Sequence, residues 1–220
     1  MKYFKPGRLT RLLRLAGWLT LWLLVAKPVS AEAVCTYQTW SWNTETKSAV
    51  NYETVRKPYN DLTAEEIDPL TGCSVCEQDQ VEIDLPPLKP FRICRFIAAR
   101  IEPVLERMLR MGEPINTVIG YRVGRTRGEV DDNGLRTGFS NHSFGIALDI
   151  NPDLNGLYGN CSVFSADCQL LRGGKWLPNR PGTMTSQSRT VIELQKAGLL
   201  WGGQIAGRQK DFMHFSPTGY

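Results

Sequence analysis

SNHSFGIALDI, residues Ser140–Ile150, decides how this chain is read. It holds His142, one of two histidines in 220 residues, and seven positions later Asp149. On a straight strand, residues seven apart would face opposite sides roughly 23 Å from each other. On a helix they would share a face but sit roughly 10 Å apart along the axis. Neither geometry lets both touch one ion. A turn between them does, and Gly145 is the residue able to make one. Beyond it Ile146, Leu148 and Ile150 alternate with Ala147 and Asp149. That period of two buries the aliphatic residues and points Asp149 the other way, beside a small alanine. The stretch reads as loop, tight turn and strand, with its polar residues converging on one cleft.

The second histidine, His214, lies in DFMHFS (Asp211–Ser216), among apolar neighbours and three residues after Asp211. A lone histidine in a semi-apolar segment is more often a hydrogen-bonded structural residue than a ligand. Scarcity, and an aspartate beside each, set these two apart. Two imidazoles and a carboxylate with a fourth position left to water make a catalytic zinc pattern, not a closed structural one. A carboxylate that is near but not a ligand would take the proton from that water, and Asp211 is the candidate. Residues three apart converge only where the backbone bends, so Asp211 is expected in a turn before the strand carrying His214.

Ser140-x-His142-x-x-Gly145-x-Ala147-x-Asp149 resembles the SxHxxGxAxD signature of the zinc D-Ala-D-Ala carboxypeptidases and related peptidoglycan endopeptidases. Ile119-Gly120-Tyr121-Arg122 resembles the GYR segment that comes before that signature. Trp201-Gly202-Gly203 followed by Asp211-x-x-His214-Phe215 is similar to the WGG…DxxHF ending of the L-alanyl-D-glutamate endopeptidase branch. These matches run in the family's order from Phe91 to Ser216. The resemblance implies Zn2+ held by His142, Asp149 and His214, with Asp211 as general base. It implies that Arg122 binds substrate and steadies the oxyanion, a task suited to a fixed positive charge. Arg125, Arg127 and Arg136 compete for that role. The implied fold is α+β and hedgehog/DD-peptidase-like: a small antiparallel sheet carrying the zinc site, flanked by helices. The implied partners are peptidoglycan peptides. Ser216 stands where many members carry a polar or acidic residue, which puts support of the site from that position in question.

Outward from the motif, Phe91 to Met111 has Ile93, Phe96, Ile97, Ile101, Val104, Leu105 and Met108 at helical spacing. Pro103 should kink that helix or divide it. TVIGY (Thr117–Tyr121) is a short strand, and GEVDDNG (Gly128–Gly134) a polar loop. Asn151 to Gly182, rich in Gly, Pro and Asn, reads as a long surface insertion, followed by a helix over Ser186–Ala197. Leu199–Trp201 and Met213–Phe215 are short strands. Cys35 to Pro90 shows no sustained period and reads as an irregular, disulfide-tied extension.

At the N-terminus, five basic residues precede an apolar run, Leu15–Ala26, and then KPVSAEA. That layout is a secretory leader, and the run is short for a membrane span. The organisation expected is a leader over 1–31, an extension over 32–90 and a peptidase domain over 91–220. The chain would be exported to the periplasm or beyond, as a monomer with no stable membrane span once the leader is cleaved. Of the 26 Lys and Arg, six lie in the leader, leaving 20 against 22 Asp and Glu. A net charge of −2 gives a nucleic-acid partner no basic patch to use.

Six cysteines in an exported chain read as disulfides. Cys161–Cys168 is the easiest pair, and Cys35, Cys73, Cys76 and Cys94 leave three pairings open. Zinc at Cys73-x-x-Cys76 lacks a second close pair, and a thiol–disulfide role lacks the βαβ setting it needs. The reading is thus an exported zinc peptidase, with the endopeptidase favoured over the carboxypeptidase. The alternative is a non-catalytic, zinc-stabilised module that binds wall peptide or a protein partner, though such a module has no use for a proton acceptor at Asp211.

Overall fold

In the computed structural model, which describes residues 1–3 and 33–220, the first element is a long antiparallel hairpin. It joins β1 (Val34–Asn43) and β2 (Ser48–Pro58). The leader reading falls almost entirely outside the described residues. The hairpin corrects the expectation of irregular chain after Cys35. Its inward residues are Cys35, Tyr37 and Thr39, and β2 buries none, so no aliphatic period of two shows in the sequence.

Next come β3 (Gln80–Ile83) and β4 (Phe91–Cys94), paired antiparallel, and α1 (Arg95–Arg110). The helix begins four residues later than its periodicity suggests, because Phe91–Cys94 pair with β3. Ile93 therefore belongs to a strand, and Phe96 is exposed. Pro103 neither divides nor ends α1. It lies on the exposed face together with Ala99, whose carbonyl the missing N–H leaves free for water. The opposite face buries Ile97, Ala98, Ile101, Val104, Leu105 and Met108.

The chain continues through β5 (Val118–Ile119), β6 (Arg125–Val130) and β7 (Arg136–Phe139). The expected polar loop is the tip of the β6–β7 hairpin, where the Asp131 carboxylate accepts from the backbone N–H of Asn133 and Leu135 at 2.9 and 2.8 Å. Gly128 to Val130 lie within β6 itself.

Then follow β8 (Leu148–Ile150), β9 (Leu157–Gly159), β10 (Gln169–Arg172) and α2 (Arg189–Lys196). Last come β11 (Leu200–Trp201), β12 (Gln209–Asp211) and β13 (His214–Ser216). The supposed surface insertion contributes β9 and β10 and buries Leu154, Tyr158 and Cys161.

Four small sheets result, ordered β2-β1-β6-β7, β3-β4, β10-β9-β12 and β11-β13-β8-β5. The architecture is α+β, with two α-helices among the described residues. All pairings in the β11-β13-β8-β5 sheet are antiparallel. Its Leu148, Ile150 and Phe215 share one core with Ile97, Ile101 and Leu105 of α1 and Val191 and Leu194 of α2. Each fully buried Leu or Ile contributes about 1.5–3 kcal/mol over exposure, so this shared core fixes the sheet against the helices.

Disulfides Cys35–Cys76 and Cys73–Cys94 resolve the open pairings, and Cys161–Cys168 is as expected. They tie β1, the Cys73–Cys76 segment and the end of β4 together. Residues 33–220 cluster as one compact unit. Among the described residues no helix is long and apolar enough to cross a membrane.

Candidate functional site

His142 stands on a single 3₁₀ turn, Asn141–Phe144. Gly145 ends that turn with φ at +67°, in the left-handed region, and a side chain there would collide with Gln80. Glycine alone meets both demands. The turn is braced from below: the Gly124 N–H donates to Ser143 Oγ at 3.0 Å, and the Ser140 N–H donates to the Gly124 carbonyl at 3.2 Å. The chain then enters β8, where Asp149 lies directly opposite His214 of β13 and Ile119 of β5.

The three side chains meet at one oxygen. Asp149 Oδ1 lies 3.1 Å from His142 Nε2 and 3.1 Å from His214 Nδ1, and the two rings are 5.1 Å apart. One donor atom from each residue falls within 4.8 Å of the other two, and all three residues are buried. Asp149 Oδ2 accepts from the Arg122 guanidinium at 3.0 Å. Burial pushes the Asp149 carboxyl up, but the two imidazoles outweigh it and hold the group well below its ordinary value. Burial also lowers His142, against the pull of Asp149.

The donor set suits a cation. His142 Nδ1 is 2.8 Å from the Gly120 carbonyl. A carbonyl only accepts, so Nδ1 carries the proton and a neutral ring presents a lone pair at Nε2. That Nε2 is buried without an aligned hydrogen bond, although it faces the Asp149 carboxylate. Lone pair against lone pair is unfavourable unless a positive ion lies between them. Two imidazole nitrogens and one carboxylate oxygen fit zinc, and a carbonyl behind one imidazole is the usual orienting contact.

Asp211 is the last residue of β12, and the two-residue turn Phe212–Met213 separates it from His214. The bend expected between them is there, placed after Asp211. Its Oδ1 is buried without a hydrogen-bond partner. Burial, aided by the charge of Asp149, pushes the carboxyl up to about 6, against the pull of His214, Arg122 and Arg127.

The WGG segment has a physical reason here. The Trp201 indole N–H donates to the Phe212 carbonyl at 2.8 Å and so pins the turn. Gly202 lies against the Asp211 backbone, where a side chain would collide. Strand β9, from the supposed insertion, pairs with β12 and carries Leu157 opposite Asp211. That segment thus positions the carboxylate.

Of the competing arginines, Arg125 stacks over Phe139 at 4.0 Å and donates to the Thr137 carbonyl, and Arg136 donates to the Gly128 carbonyl at 2.7 Å. Both are engaged away from the three cluster residues' own partners. Arg127 is half-buried, which lowers its guanidinium from the ordinary value, and Asp211 and Tyr220 are the groups whose field supports its charge. Ser216 is fully buried and donates to the Tyr220 carbonyl at 3.1 Å. The Gly120 carbonyl escapes a sequence reading, since a backbone acceptor leaves no side-chain signal.

Searches of curated proteins and of solved structures return no match to this chain. Arg122 precedes the stretch on which family evidence bears. A family model described as D-alanyl-D-alanine carboxypeptidase matches residues 133–217, the segment that carries His142, Asp149, Asp211 and His214, and so supports the family that the sequence resembles.

Proposed function

We propose that this chain is an exported, zinc-dependent metallopeptidase that hydrolyses peptide bonds in the stem or cross-link peptides of peptidoglycan. One observation carries the reading. His142 Nε2 and His214 Nδ1 both face Asp149 Oδ1 at 3.1 Å, with His142 Nδ1 already committed to a carbonyl. The match over residues 133–217 supports the substrate class. Export is supported by the three disulfides, which persist in oxidising compartments. The WGG and DxxHF pieces favour an endopeptidase over a carboxypeptidase, and a monomer suffices for every group invoked.

His142, Asp149 and His214 would hold the zinc, which when bound supplies Lewis acidity to polarise the scissile carbonyl and acidify water. The chain's own groups do the rest. The Gly120 carbonyl fixes the tautomer and orientation of His142. Arg122 holds Asp149 through one nitrogen and keeps its other donors for a substrate oxygen that gains negative charge. Asp211 accepts the proton of the attacking water and returns it to the leaving amine. A carboxyl pushed up to about 6 is ionised at neutral pH yet basic enough for that exchange.

Digestion of purified peptidoglycan, with products identified by mass, tests the reading. Peptide cleavage should stop with a chelator and return on adding zinc. Cleavage indifferent to chelation, or a zinc-loaded protein that never cleaves, would overturn it.

A further inference from the structure

We propose that Arg127 is a specificity residue that binds a free carboxylate of the peptide substrate, an inference that rests on the peptidase reading above. Three arginines lie on the β6–β7 hairpin, and two are spoken for. Arg125 is engaged by Phe139, the Thr137 carbonyl and, at 3.5 Å, Glu65. Arg136 holds the Gly128 carbonyl. The Arg127 guanidinium has no hydrogen bond, ion pair or ring contact among the described residues, although the residue is half-buried. A guanidinium withdrawn from water without an anion is unfavourable until something supplies one.

Its position ties it to the site. The root of the hairpin is fixed to the turn carrying His142 through Gly124, Ser140 and Ser143. β7 ends at Phe139, three residues before His142. Asp211 lies within reach of its field, yet no ion pair joins them. The two share one electrostatic neighbourhood without neutralising each other. Arg122 is different, because Asp149 Oδ2 already engages it.

The planar fork of arginine matches a carboxylate through two parallel hydrogen bonds. Wall peptides offer that group from two sources: the C-terminal carboxylate, and the α-carboxylate left free when D-glutamate is linked through its side chain. Four versions of the peptide L-Ala-γ-D-Glu-L-Lys-D-Ala-D-Ala distinguish them, with each of the two carboxylates either free or amidated.

The zinc-loaded enzyme and its Arg127→Gln and Arg127→Lys variants are compared on all four by kcat/KM, and by direct titration of binding. The wild type should prefer the free acid at one of the two positions by roughly 10- to 100-fold, the range expected of charge-assisted hydrogen bonds. Arg127→Gln should erase that preference, read as the acid-to-amide ratio, because the charge it removes also helps hold the Asp211 carboxyl down and so changes the rate on acid and amide alike. Arg127→Lys should restore part of it, and it serves alone if the glutamine variant does not fold.

Equal losses on acid and amide, or a preference that survives in both variants, would overturn the assignment. A binding preference that vanishes with Arg127→Gln, in a protein that cleaves none of the peptides, upholds the carboxylate site and rejects the peptidase reading instead.

Discussion

Asp211→Asn gives the most demanding test of the proposed base, because it predicts opposite changes in activity and in stability. The Asp211 carboxyl is raised from 3.8 to about 6, first by burial and then by Asp149. Between those pH values the native state keeps a proton that the unfolded chain has released. Stability therefore falls as pH rises through that window and stays low above it. At about 1.4 kcal/mol for each pH unit, the displacement corresponds to at most about 3 kcal/mol. Asparagine fills the same space without a charge. At pH 7 the metal-free variant should be more stable than the metal-free wild type by about 1–3 kcal/mol, or about 3–9 °C in Tm for a domain of this size. The assay is thermal unfolding of both proteins, stripped by chelator, from pH 4 to pH 8. The other groups of the cluster titrate in both proteins, and the cost of burying an amide does not vary with pH, so only the change in the difference matters. It should be smallest near pH 4 and reach its plateau above pH 6. Reloaded with zinc, the variant should bind stoichiometric metal and lose at least about 100-fold in kcat. A gap in Tm that is the same at pH 4 and pH 7, or that favours the wild type more as pH rises, refutes the account of Asp211.

Alanine at His142, Asp149 or His214 should each reduce bound zinc from stoichiometric to trace, measured by elemental analysis of the dialysed protein. Arg122→Lys should lower kcat/KM by about 100-fold, since an ammonium cannot hold Asp149 Oδ2 and face the substrate together. Gly145→Ala forces a left-handed φ on a side chain that meets Gln80, and should cost about 2–4 kcal/mol in chemical denaturation. Replacing Cys73 and Cys94 together with serine opens a link between positions 21 apart and should cost about 3 kcal/mol, seen as a fall of about 6–12 °C in Tm.

The elements that the sequence announces are those whose burial uses aliphatic residues. The buried face of α1 shows as Ile97, Ile101, Leu105 and Met108, and β8 as the alternation after Gly145. The β1–β2 hairpin hides because its inward positions are a cysteine, a tyrosine and a threonine, and because β2 faces water almost throughout. Pro103 leaves the helix undivided for a related reason. The rule that proline breaks a helix assumes that the orphaned carbonyl has nowhere to turn, and on the solvent face of α1 it has water. Disulfide pairing lies beyond a single sequence in principle. Cys73 and Cys76 go to different partners because β1 and the end of β4 approach the same segment from two sides, a fact of tertiary structure.

The candidate site divides along a similar line. His142, Asp149, Asp211 and His214 stand out because their chemistry is rare in this chain and their spacing needs a turn that Gly145 can make. What holds them in place is mostly backbone or glycine. The Gly120 carbonyl orients His142, the Phe212 carbonyl receives Trp201, and Gly202 matters for the side chain it lacks. Backbone carbonyls and a missing side chain leave no mark of their own in a sequence, so only family resemblance draws the eye to the WGG segment. Arg127 is the reverse case. Its side chain is conspicuous, yet resemblance singles out only Arg122 of four arginines within fifteen residues, and the partners of the other three are what separate them. Arg125 and Arg136 are used by the hairpin and Arg122 by Asp149, which leaves a single uncommitted cation of the four, in the field of a buried carboxylate. A fold that spends burial on a charge without supplying its partner leaves that partner to come from outside, and a peptide acid is the anion that the proposed chemistry would bring there.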